Sequence, residues 1–203
     1  MKKKRKKTFK NSFIEWSLSL GLAIVIALFI RGNVFAVSQV KEHSMENTFF
    51  EGERVIELKI NPFRLNPKRG DVIILHKKKE KDDIFSNTII EAEEIINNFF
   101  LKKIEKNHLI KRVIGVPGDV IDIKNGYLYL NGVKKKEMYI KGKTYENNSF
   151  IDFPIKVPKN SYFVMGDNRE ISLDSRQLGF ILNKQIEGKV IYRIWPINKL
   201  KSF

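Results

Sequence analysis

The strongest pattern along the chain is a largely apolar segment near its N-terminus. It extends from Phe13 to Val37, and its most apolar part runs from Leu18 to Ile30. This length reaches the roughly 20 residues that an α-helix needs to cross the hydrocarbon core of a bilayer. Glu15 and Arg31 lie near the edges of the segment and leave its centre without charge. The pattern predicts a membrane-spanning helix.

Two other interpretations of this segment compete with a retained anchor. A cleavable signal peptide also has a basic region, an apolar region and a small residue near the cleavage site, here Ala36. A buried core helix is disfavoured beside the basic run Lys2–Lys10. The segment alone favours an anchor only slightly over cleavage. Under both interpretations the positive-inside rule places the basic run in the cytoplasm and the chain after Ser38 outside.

The rest of the chain is dominated by short runs that alternate apolar and polar residues or are rich in β-branched residues, which is typical of β-strands. The pairs Asn125-Gly126 and Asn131-Gly132 flank the sequence Y-L-Y-L and predict tight hairpin turns. The predicted fold class is mainly β: a compact antiparallel β-sheet or barrel-like domain, with one N-terminal transmembrane helix and a helical insertion. The predicted strands are Arg54–Ile60, Asp71–Leu75, Val120–Ile123, Tyr127–Leu130, Tyr162–Met165 and Gly188–Trp195.

One block breaks the β pattern. From Asn87 to Lys106 the apolar residues follow helical spacing, and acidic residues come early while lysines come late, as the helix dipole favours. This block lies within an insertion at about residues 77–107, for which we expect a solvated, decorative role. The predicted organisation is a basic tail at 1–12, an anchor at 13–37 and an extracytoplasmic β-rich domain at 38–203.

Composition limits the chemistry and suggests partners. The 203 residues contain 38 Lys and Arg against 23 Asp and Glu, which gives a net charge of +15. Such a charge suits an anionic partner, either nucleic acid or an acidic membrane surface. The absence of cysteine excludes disulfides, thiol nucleophiles and cysteine-ligated metal sites.

The three histidines do not favour a histidine-based catalytic triad, in which an imidazole must reach the serine oxygen. His43 is adjacent to Ser44, and neighbouring side chains of an extended segment point to opposite sides. His76 precedes a run of lysines, and His108 lies at the end of the insertion. None of the three lies in a recognisable motif.

Lys111 differs from most lysines of the chain because it lies between Leu109-Ile110 and Val113-Ile114. At a strand edge, such a lysine would extend its amine into water. In a buried strand, desolvation would disfavour the ammonium form and lower its pKa. A neutral amine can then accept the proton of a serine hydroxyl. The pattern makes Lys111 a candidate general base and leaves open which serine it serves.

A third stretch, G-D-N-R-E-I-S-L-D-S-R from Gly166 to Arg176, follows an apolar strand. Gly, Asp and Asn favour turns, so a polar loop is one interpretation. The density of charged and hydroxyl groups also suits a hydrogen-bonded support for a site. In that case Asp174 and Arg176 form a charge-assisted pair, and Ser172 holds the Lys111 amine.

These stretches together resemble type I signal peptidase, the bacterial membrane-bound Ser-Lys endopeptidase. S-M-E-N-T is similar to its nucleophile motif, and K-R-G-D-V-I-I to the strand that follows. I-K-R-V-I-G-V-P-G-D is similar to the general-base motif and G-D-N-R-E-I-S-L-D-S-R to the last motif. The order is that of the family, and the resemblance covers the chain after the basic tail apart from residues 77–107.

The resemblance implies a role for each matching residue. Ser44 would attack the scissile carbonyl and form an acyl-enzyme, and Lys111 would be the general base. Ser172 would orient the lysine, while Asp174 and Arg176 would be structural partners.

The resemblance also implies supporting roles close to these residues. Met45 would lie near the substrate, Gly166 would leave room beside the lysine, and the Ser44 N–H would stabilise the oxyanion. The residue two positions before the nucleophile helps in the family, but here it is Glu42 rather than Ser or Gly. The second oxyanion donor therefore stays open, as does the effect of Asn47 where the family has proline.

The implied function is removal of signal peptides from exported precursor proteins after small residues at −1 and −3. The implied protein keeps its anchor in the bacterial cytoplasmic membrane, with a cytoplasmic N-terminus, and needs no cofactor or metal. Its partners are precursor proteins and the lipid bilayer, with no nucleic acid. The alternatives are a membrane-tethered basic binding module, a catalytically inactive paralogue and another Ser-Lys protease such as a self-cleaving repressor.

Overall fold

The structure is a computed structural model that describes residues 9–59, 66–76, 84–97, 108–146 and 151–203. Most of the basic N-terminal run, the charged run 77–83 and the second half of the predicted helical block therefore lie outside the described residues.

Helix α1 extends from Phe9 to Asn33, and its stretch from Ser12 to Asn33 is long and apolar enough to cross a membrane. The predicted end of the anchor at Val37 is wrong for the helix. Residues from Phe35 onward form a strand instead, because their backbone pairs antiparallel with Arg54–Leu58.

Two further helices and a series of short strands follow. Helix α2 spans Ile84–Ile96 and helix α3 spans Ser175–Leu178. The strands of the described residues are β1 Phe35–Gln39, β2 Arg54–Lys59, β3 Val72–His76, β4 His108–Gly115, β5 Val120–Lys124, β6 Tyr127–Leu130, β7 Val133–Lys134, β8 Ile155–Lys156, β9 Ser161–Met165, β10 Ile181–Leu182, β11 Ile186–Trp195 and β12 Lys201–Ser202.

The strands form two antiparallel sheets, so the predicted mainly β class is confirmed. The larger sheet has the order β1-β2-β11-β3-β4-β9-β10, with β12 paired to β11. The smaller sheet has the order β7-β6-β5-β8. Strand β4 thus lies inside the larger sheet, between β3 and β9, and its residues are covered on both sides.

The two predicted hairpin turns connect β5 to β6 and β6 to β7. Asn125 and Gly126 have φ values of 52° and 81°, and Asn131 and Gly132 have values of 53° and 79°. Positive φ at both central residues is the requirement of a type I′ turn, which Asn-Gly meets at low cost. The turn prediction is confirmed.

Three clusters of buried side chains form the core. One cluster joins the two sheets and includes Ile114, Ile121 and Phe163. A second cluster, which includes Ile73 and Val113, is built on β3, β4 and β9 to β11. The third contains Met45, Phe49, Val55, Val72, Ile74, Val190 and Val40, and lies beneath the segment that carries Ser44.

Helix α2 confirms the predicted helix in the insertion, but it begins at Ile84 rather than Asn87. It packs against the end of α1 and is therefore not a free decoration. The amide of Asn33 donates to Thr88 Oγ1 at 3.0 Å, and the amide of Asn87 donates to Asn33 Oδ1 at 3.3 Å.

Candidate active site

Ser44 lies in a single 3-10 turn, His43–Met45, that follows β1. The segment before the turn is fixed because Val40 donates its N–H to Glu53 O at 2.9 Å. Met45 is fully buried in the core, and Phe49 N–H donates to Met45 O at 2.8 Å. Burial of the residue next to the serine fixes the position of its hydroxyl.

Strand β4 brings Lys111 to this turn. The side-chain Nζ lies 2.7 Å from Ser44 Oγ and 3.1 Å from the carbonyl oxygen of Ile110. Lys111 is 0% exposed, and Ser44 is also buried. The arrangement places an amine and an alcohol in direct hydrogen-bond contact away from water.

Gly166, which follows β9, lies between two serines. A Cβ added there would meet Ser172 Oγ at 2.3 Å and the backbone oxygen of Ser44 at 2.4 Å. Its N–H donates to Ser172 Oγ at 3.1 Å. The hydroxyl of Ser172 thus bonds Gly166 in this structure, and an orienting role toward the Lys111 amine stays a prediction.

The predicted pair of Asp174 and Arg176 is present and fully buried. Arg176 Nε donates to Asp174 Oδ1 and Nη2 donates to Oδ2, each at 2.9 Å. Asp174 Oδ2 also accepts from Gly166 N–H at 3.1 Å. The carboxylate caps α3 by accepting from the backbone N–H of Arg176. The pair therefore holds the loop that carries Gly166.

A second buried ion pair, which sequence reasoning missed, holds Thr48, four residues after Ser44. Arg112 Nε and Nη2 donate to the two carboxylate oxygens of Asp167 at 2.8 and 2.6 Å. Thr48 Oγ1 also donates to this carboxylate. Such a bidentate pair fixes geometry as well as charge. The sequence signal that could have found this pair was adjacency to the candidate site, because Arg112 follows Lys111 and Asp167 follows Gly166.

Asn168 holds the backbone of the serine turn directly and was also not singled out. Its N–H donates to Ser44 O at 3.0 Å, and its side-chain amide donates to His43 O at 3.2 Å. The loop after β9 therefore contacts the serine turn through both backbone and side chain.

Asn47 has a backbone conformation that explains its presence. Its φ is 83°, and its amide donates to Ile140 O at 2.8 Å. Proline is locked near φ −65° and cannot adopt this conformation, whereas asparagine adopts it more readily than most residues. The asparagine therefore suits the turn of this chain.

Glu42 precedes the 3-10 turn in an extended conformation, with φ −130° and ψ 157°. An ionised carboxylate only accepts hydrogen bonds. The side chain of Glu42 therefore cannot replace a hydroxyl donor at this position, and its backbone N–H is the group left for such a role.

The histidines lie apart from the serine hydroxyl. The segment of His43 is a 3-10 turn rather than the expected extended chain. Its ring contacts Glu46 at 2.8 Å and Glu51 at 3.4 Å. The ring of His76 packs against that of His108 at a centroid distance of 5.0 Å. No hydrogen bond joins a histidine ring to Ser44 in the described residues, which agrees with the argument against a triad.

A cleft of about 300 Å³ extends from Glu42, two residues before Ser44, to Arg31 in the last turn of α1, and its lining includes neither Ser44 nor Lys111. Its walls are formed by β1 and β4, and its apolar part contains Val40, Val55, Ile74, Leu109 and Ile110. The end near the serine includes Glu42, and the far end is polar and includes Arg31. The far-end lining residues from the strands are Ser38, Glu57, Lys59, His108 and Glu187.

The far end contains a buried charge cluster that sequence reasoning did not find. Lys59 lies 2.9 Å from Glu187 and 3.4 Å from Glu57, and His108 lies 3.0 Å from Glu187. Burial raises the pKa of Glu57. Burial alone would also raise the pKa of Glu187, but the hydrogen bonds and charges of His108 and Lys59 outweigh it and hold that pKa well below its usual range. Lys59, His108 and Glu187 are far apart in sequence, so no local pattern marked the cluster.

No group of histidine and carboxylate side chains suited to a metal ion occurs in the part of the chain that the structure describes.

Comparison with known proteins connects this geometry to a family. Residues 13–195 match the family described as Signal peptidase, peptidase S26. Signal peptidase I P of Bacillus subtilis subsp. natto is 34% identical, over 95% of this chain and 94% of that one. Signal peptidase I S of Bacillus subtilis (strain 168) is 35% identical, over 95% of both chains. Signal peptidase IB of Staphylococcus aureus (strain N315) is 32% identical, over 95% of this chain and 94% of that one.

A crystal structure of a signal peptidase I from Enterococcus faecalis V583 is also similar, at 24% identity and a TM-score of 0.41 over 62% of this chain and 97% of that one. The family match spans the apolar helix, the serine turn, β4 and the loop after β9, which are the elements that build the site. The chain therefore belongs to the signal peptidase family, peptidase S26.

Proposed function

We propose that the chain is a membrane-anchored serine endopeptidase that removes N-terminal signal peptides from exported precursor proteins. Family membership supports the class of reaction. The observation that carries the mechanism is the 2.7 Å contact between Lys111 Nζ and Ser44 Oγ in a buried setting. A membrane-tethered binding module would not need these two groups to meet.

In the proposed mechanism Lys111 reacts as a neutral amine. Its burial disfavours the charged ammonium form. The amine takes the proton of Ser44 as Oγ attacks the scissile carbonyl, and gives it to the leaving nitrogen as the peptide bond breaks. The resulting acyl-enzyme is hydrolysed by a water that loses a proton to the same amine, and that proton returns to Ser44 Oγ when the acyl group leaves.

The tetrahedral oxyanion is stabilised by the backbone N–H of Ser44, a fixed donor that is already oriented before reaction. The rigidity comes from the buried Met45 and from the bond of Asn168 N–H to Ser44 O. Glu42 can contribute to stabilising the oxyanion only through its backbone N–H. In this assignment Met45 and Gly166 line the surroundings of the reacting atoms, and Ser172, Asp174 and Arg176 hold the loop.

The substrate binds as an extended strand in the cleft between β1 and β4, with alternate side chains directed into it. The β-branched side chains of Val40, Val55 and Ile74 line this cleft. We assign to them the selection of small side chains at −1 and −3, as the family resemblance implies.

The anchor places the site near the membrane in which a signal peptide is itself embedded. Ser44 follows the end of α1 at Asn33 by 11 residues (44 − 33), so along the chain it lies at most roughly 40 Å away. We assign residues 1–12 to a cytoplasmic tail, the part of helix α1 from Phe13 onward to a single span of the bacterial cytoplasmic membrane, and 38–203 to an extracytoplasmic domain. The basic residues before the span support this orientation.

The test is cleavage of an exported precursor with alanine at −1 and −3 by the full-length protein in lipid vesicles. Wild type should release the mature product. Ser44→Ala should abolish cleavage, because it removes the nucleophile that forms the acyl-enzyme. Lys111→Arg should abolish it as well, by a factor of at least about 10³, because a general base typically contributes 10²–10⁴ and a guanidinium always carries its proton.

The matched control is Lys135→Arg, the same change at an exposed lysine, which should cleave as wild type does. Retained cleavage by Lys111→Arg would contradict the assignment of the general base. Failure of wild type to cleave would favour the inactive paralogue.

A further inference from the structure

We propose that helix α2 lies in the lipid headgroup region on the outer face of the membrane that α1 spans. There it makes a second contact with lipid, beside the spanning helix. The ligand of this surface is the phospholipid bilayer, and the contacting face, called here the α2 face, consists of Ile89 and Ile96, with Ile95 at its side. The inference rests on the membrane anchoring in the proposed function.

The position of α2 in the fold is the first argument. β1 begins at Phe35, only two residues after α1 ends at Asn33. Because neighbouring strands are antiparallel, the starts of β1, β11 and β4 and the ends of β2 and β3 lie at the same end of the larger sheet, which is the end nearest α1. These terminal residues are Phe35, Ile186, His108, Lys59 and His76. The insertion that contains α2 leaves the sheet after His76 and returns at His108, so it projects from this end.

Direct contact with α1 is the second argument. Side chains of α1 are exposed from residues 13 to 27, whereas Gly32 and Asn33 are buried. A Cβ added to Gly32 would lie 3.0 Å from the backbone oxygen of Asn87. Asn33 also exchanges side-chain hydrogen bonds with Asn87 and Thr88. The beginning of α2 therefore lies where α1 would leave the bilayer.

The α2 face itself is the third argument. Ile89, Ile95 and Ile96 are 57%, 44% and 53% exposed. At about 100° per residue, Ile89 and Ile96 lie on the same side of the helix, nearly opposite Asn87, which contacts α1. Isoleucines exposed together on a helix are costly in water and are favourable where a membrane can cover them.

Charge sets the depth of the helix. Glu93 is exposed and lies close to the line between Ile89 and Ile96. A carboxylate is compatible with the headgroup layer but costly in the hydrocarbon core. A helix with apolar and charged groups in this arrangement lies in the interface plane rather than across the bilayer.

The consequence concerns the substrate cleft. Its far end is lined by Arg31 from the end of α1 and by His108, where the insertion rejoins the sheet. With both α1 and α2 held by lipid, this end of the cleft faces the membrane surface, where an embedded substrate emerges. One helix alone would leave the domain free to rotate about the anchor.

The experiment uses the absence of cysteine from the chain. Single cysteines are introduced into the full-length protein by Ile89→Cys, Ile96→Cys, Val133→Cys and Ile24→Cys, and each is labelled with a polarity-sensitive fluorophore in single-copy nanodiscs of phosphatidylcholine and phosphatidylglycerol. Val133 is an equally exposed apolar residue of the smaller sheet, at 61%, and serves as the matched control. Ile24 reports on α1.

Labels at 89 and 96 should be quenched by lipid-borne spin labels about threefold more than the label at 133, and be shielded from aqueous iodide, as for an interfacial helix. The α2 inference fails, and the anchoring stands, if iodide quenches the labels at positions 89 and 96 as strongly as the label at 133 while lipid-borne spin labels quench the label at 24. If 24 also escapes lipid quenching, the anchoring fails with it. Shielding at 89 and 96 that requires two copies per nanodisc would show that a second copy covers the face, and would overturn the inference.

Discussion

At the scale of single residues, the site depends on how little space surrounds Ser44. The hydroxyl meets the Lys111 amine, and the backbone oxygen accepts from Asn168. Gly166 lies against that same backbone oxygen, so a glycine is required by close approach rather than by a positive φ. Each of these contacts depends on a single chemical group, so each can be tested separately.

Gly166→Ala should nearly abolish cleavage. Its Cβ would fall 2.4 Å from Ser44 O and 2.3 Å from Ser172 Oγ, so the serine turn must move. Overpacking of this kind costs about 1–3 kcal/mol of the free energy of unfolding. Cleavage assays and thermal unfolding of the purified variant measure the two effects. Gly21→Ala is the control, because nothing lies within 4 Å of a Cβ at that site, and normal activity in Gly166→Ala would show that the serine turn does not need this space.

Asn47→Pro should impair the protein although proline is the family's usual residue there. The φ of 83° at Asn47 is closed to proline, and forcing the turn into another conformation should cost about 1–3 kcal/mol. Asn47→Gly, which tolerates positive φ, should keep most of the activity and lose only the bond to Ile140 O. Rates of precursor cleavage for the two variants decide the matter, and a fully active proline variant would mean that the turn adopts another conformation in solution.

At the scale of elements, strand β4 connects the serine turn with the far end of the cleft. Its middle carries Lys111 beside the serine turn, and its first residue, His108, belongs to the buried charge cluster at the far end. The cluster joins β2, β4 and β11 through Lys59, His108 and Glu187. The stability of the larger sheet therefore depends on the protonation states of these side chains.

Glu187→Gln should lower stability at neutral pH and have less effect in acid. The pKa of Glu187 is held below its usual range by His108 and Lys59. A lowered carboxylate pKa contributes stability that is complete above the unfolded-state value of about 4.3 and is lost as pH falls from there towards the lower folded-state value. Urea unfolding at pH 7 and at about pH 2.5 should give a larger difference between variant and wild type at pH 7. Glu170→Gln, at an exposed residue, is the control, and a difference that does not change with pH would contradict this electrostatic account.

At the scale of the whole molecule, the proposed anchor can help the catalytic domain to meet its substrate only if enzyme and substrate are in the same membrane. Co-anchoring replaces a search in three dimensions by a local one, and so raises effective concentration. The tether between α1 and the serine turn is short, and β1 within it is fixed to the sheet. The domain therefore cannot move far from the bilayer.

Dilution tests this directly. With enzyme and precursor reconstituted in the same vesicles, tenfold dilution with buffer should leave the cleavage rate unchanged, because surface density sets the encounter rate. In detergent micelles the same tenfold dilution should lower a subsaturated rate by about tenfold, since encounter there is bimolecular in solution. A rate that falls equally in vesicles would show that the anchor does not concentrate the substrate.

Much of the fold followed from local sequence. The apolar span, four of the eight strands of the larger sheet (β2, β3, β9 and β11) and the two Asn-Gly turns depend on backbone preferences and on alternation between near neighbours. The short strands β7, β8, β10 and β12 were not predicted, because two-residue strands carry no periodic signal. The end of α1 was misplaced for a related reason: Phe35–Val37 is as apolar as the helix, and only pairing with β2 makes it a strand.

The sequence by itself determined the chemical groups: a serine near the span, a lysine in an apolar run, and a loop with a self-contained Asp174–Arg176 pair two residues apart. The tertiary structure decided which groups meet. Ser44 and Lys111 are 67 residues apart, and Arg112 and Asp167 are 55 apart. It also decided that Glu57 and Glu187 share Lys59 and that α2 lies against α1. The physical reason is that strand pairing and core packing, which are long-range, set these distances, whereas local preferences extend over only a few residues.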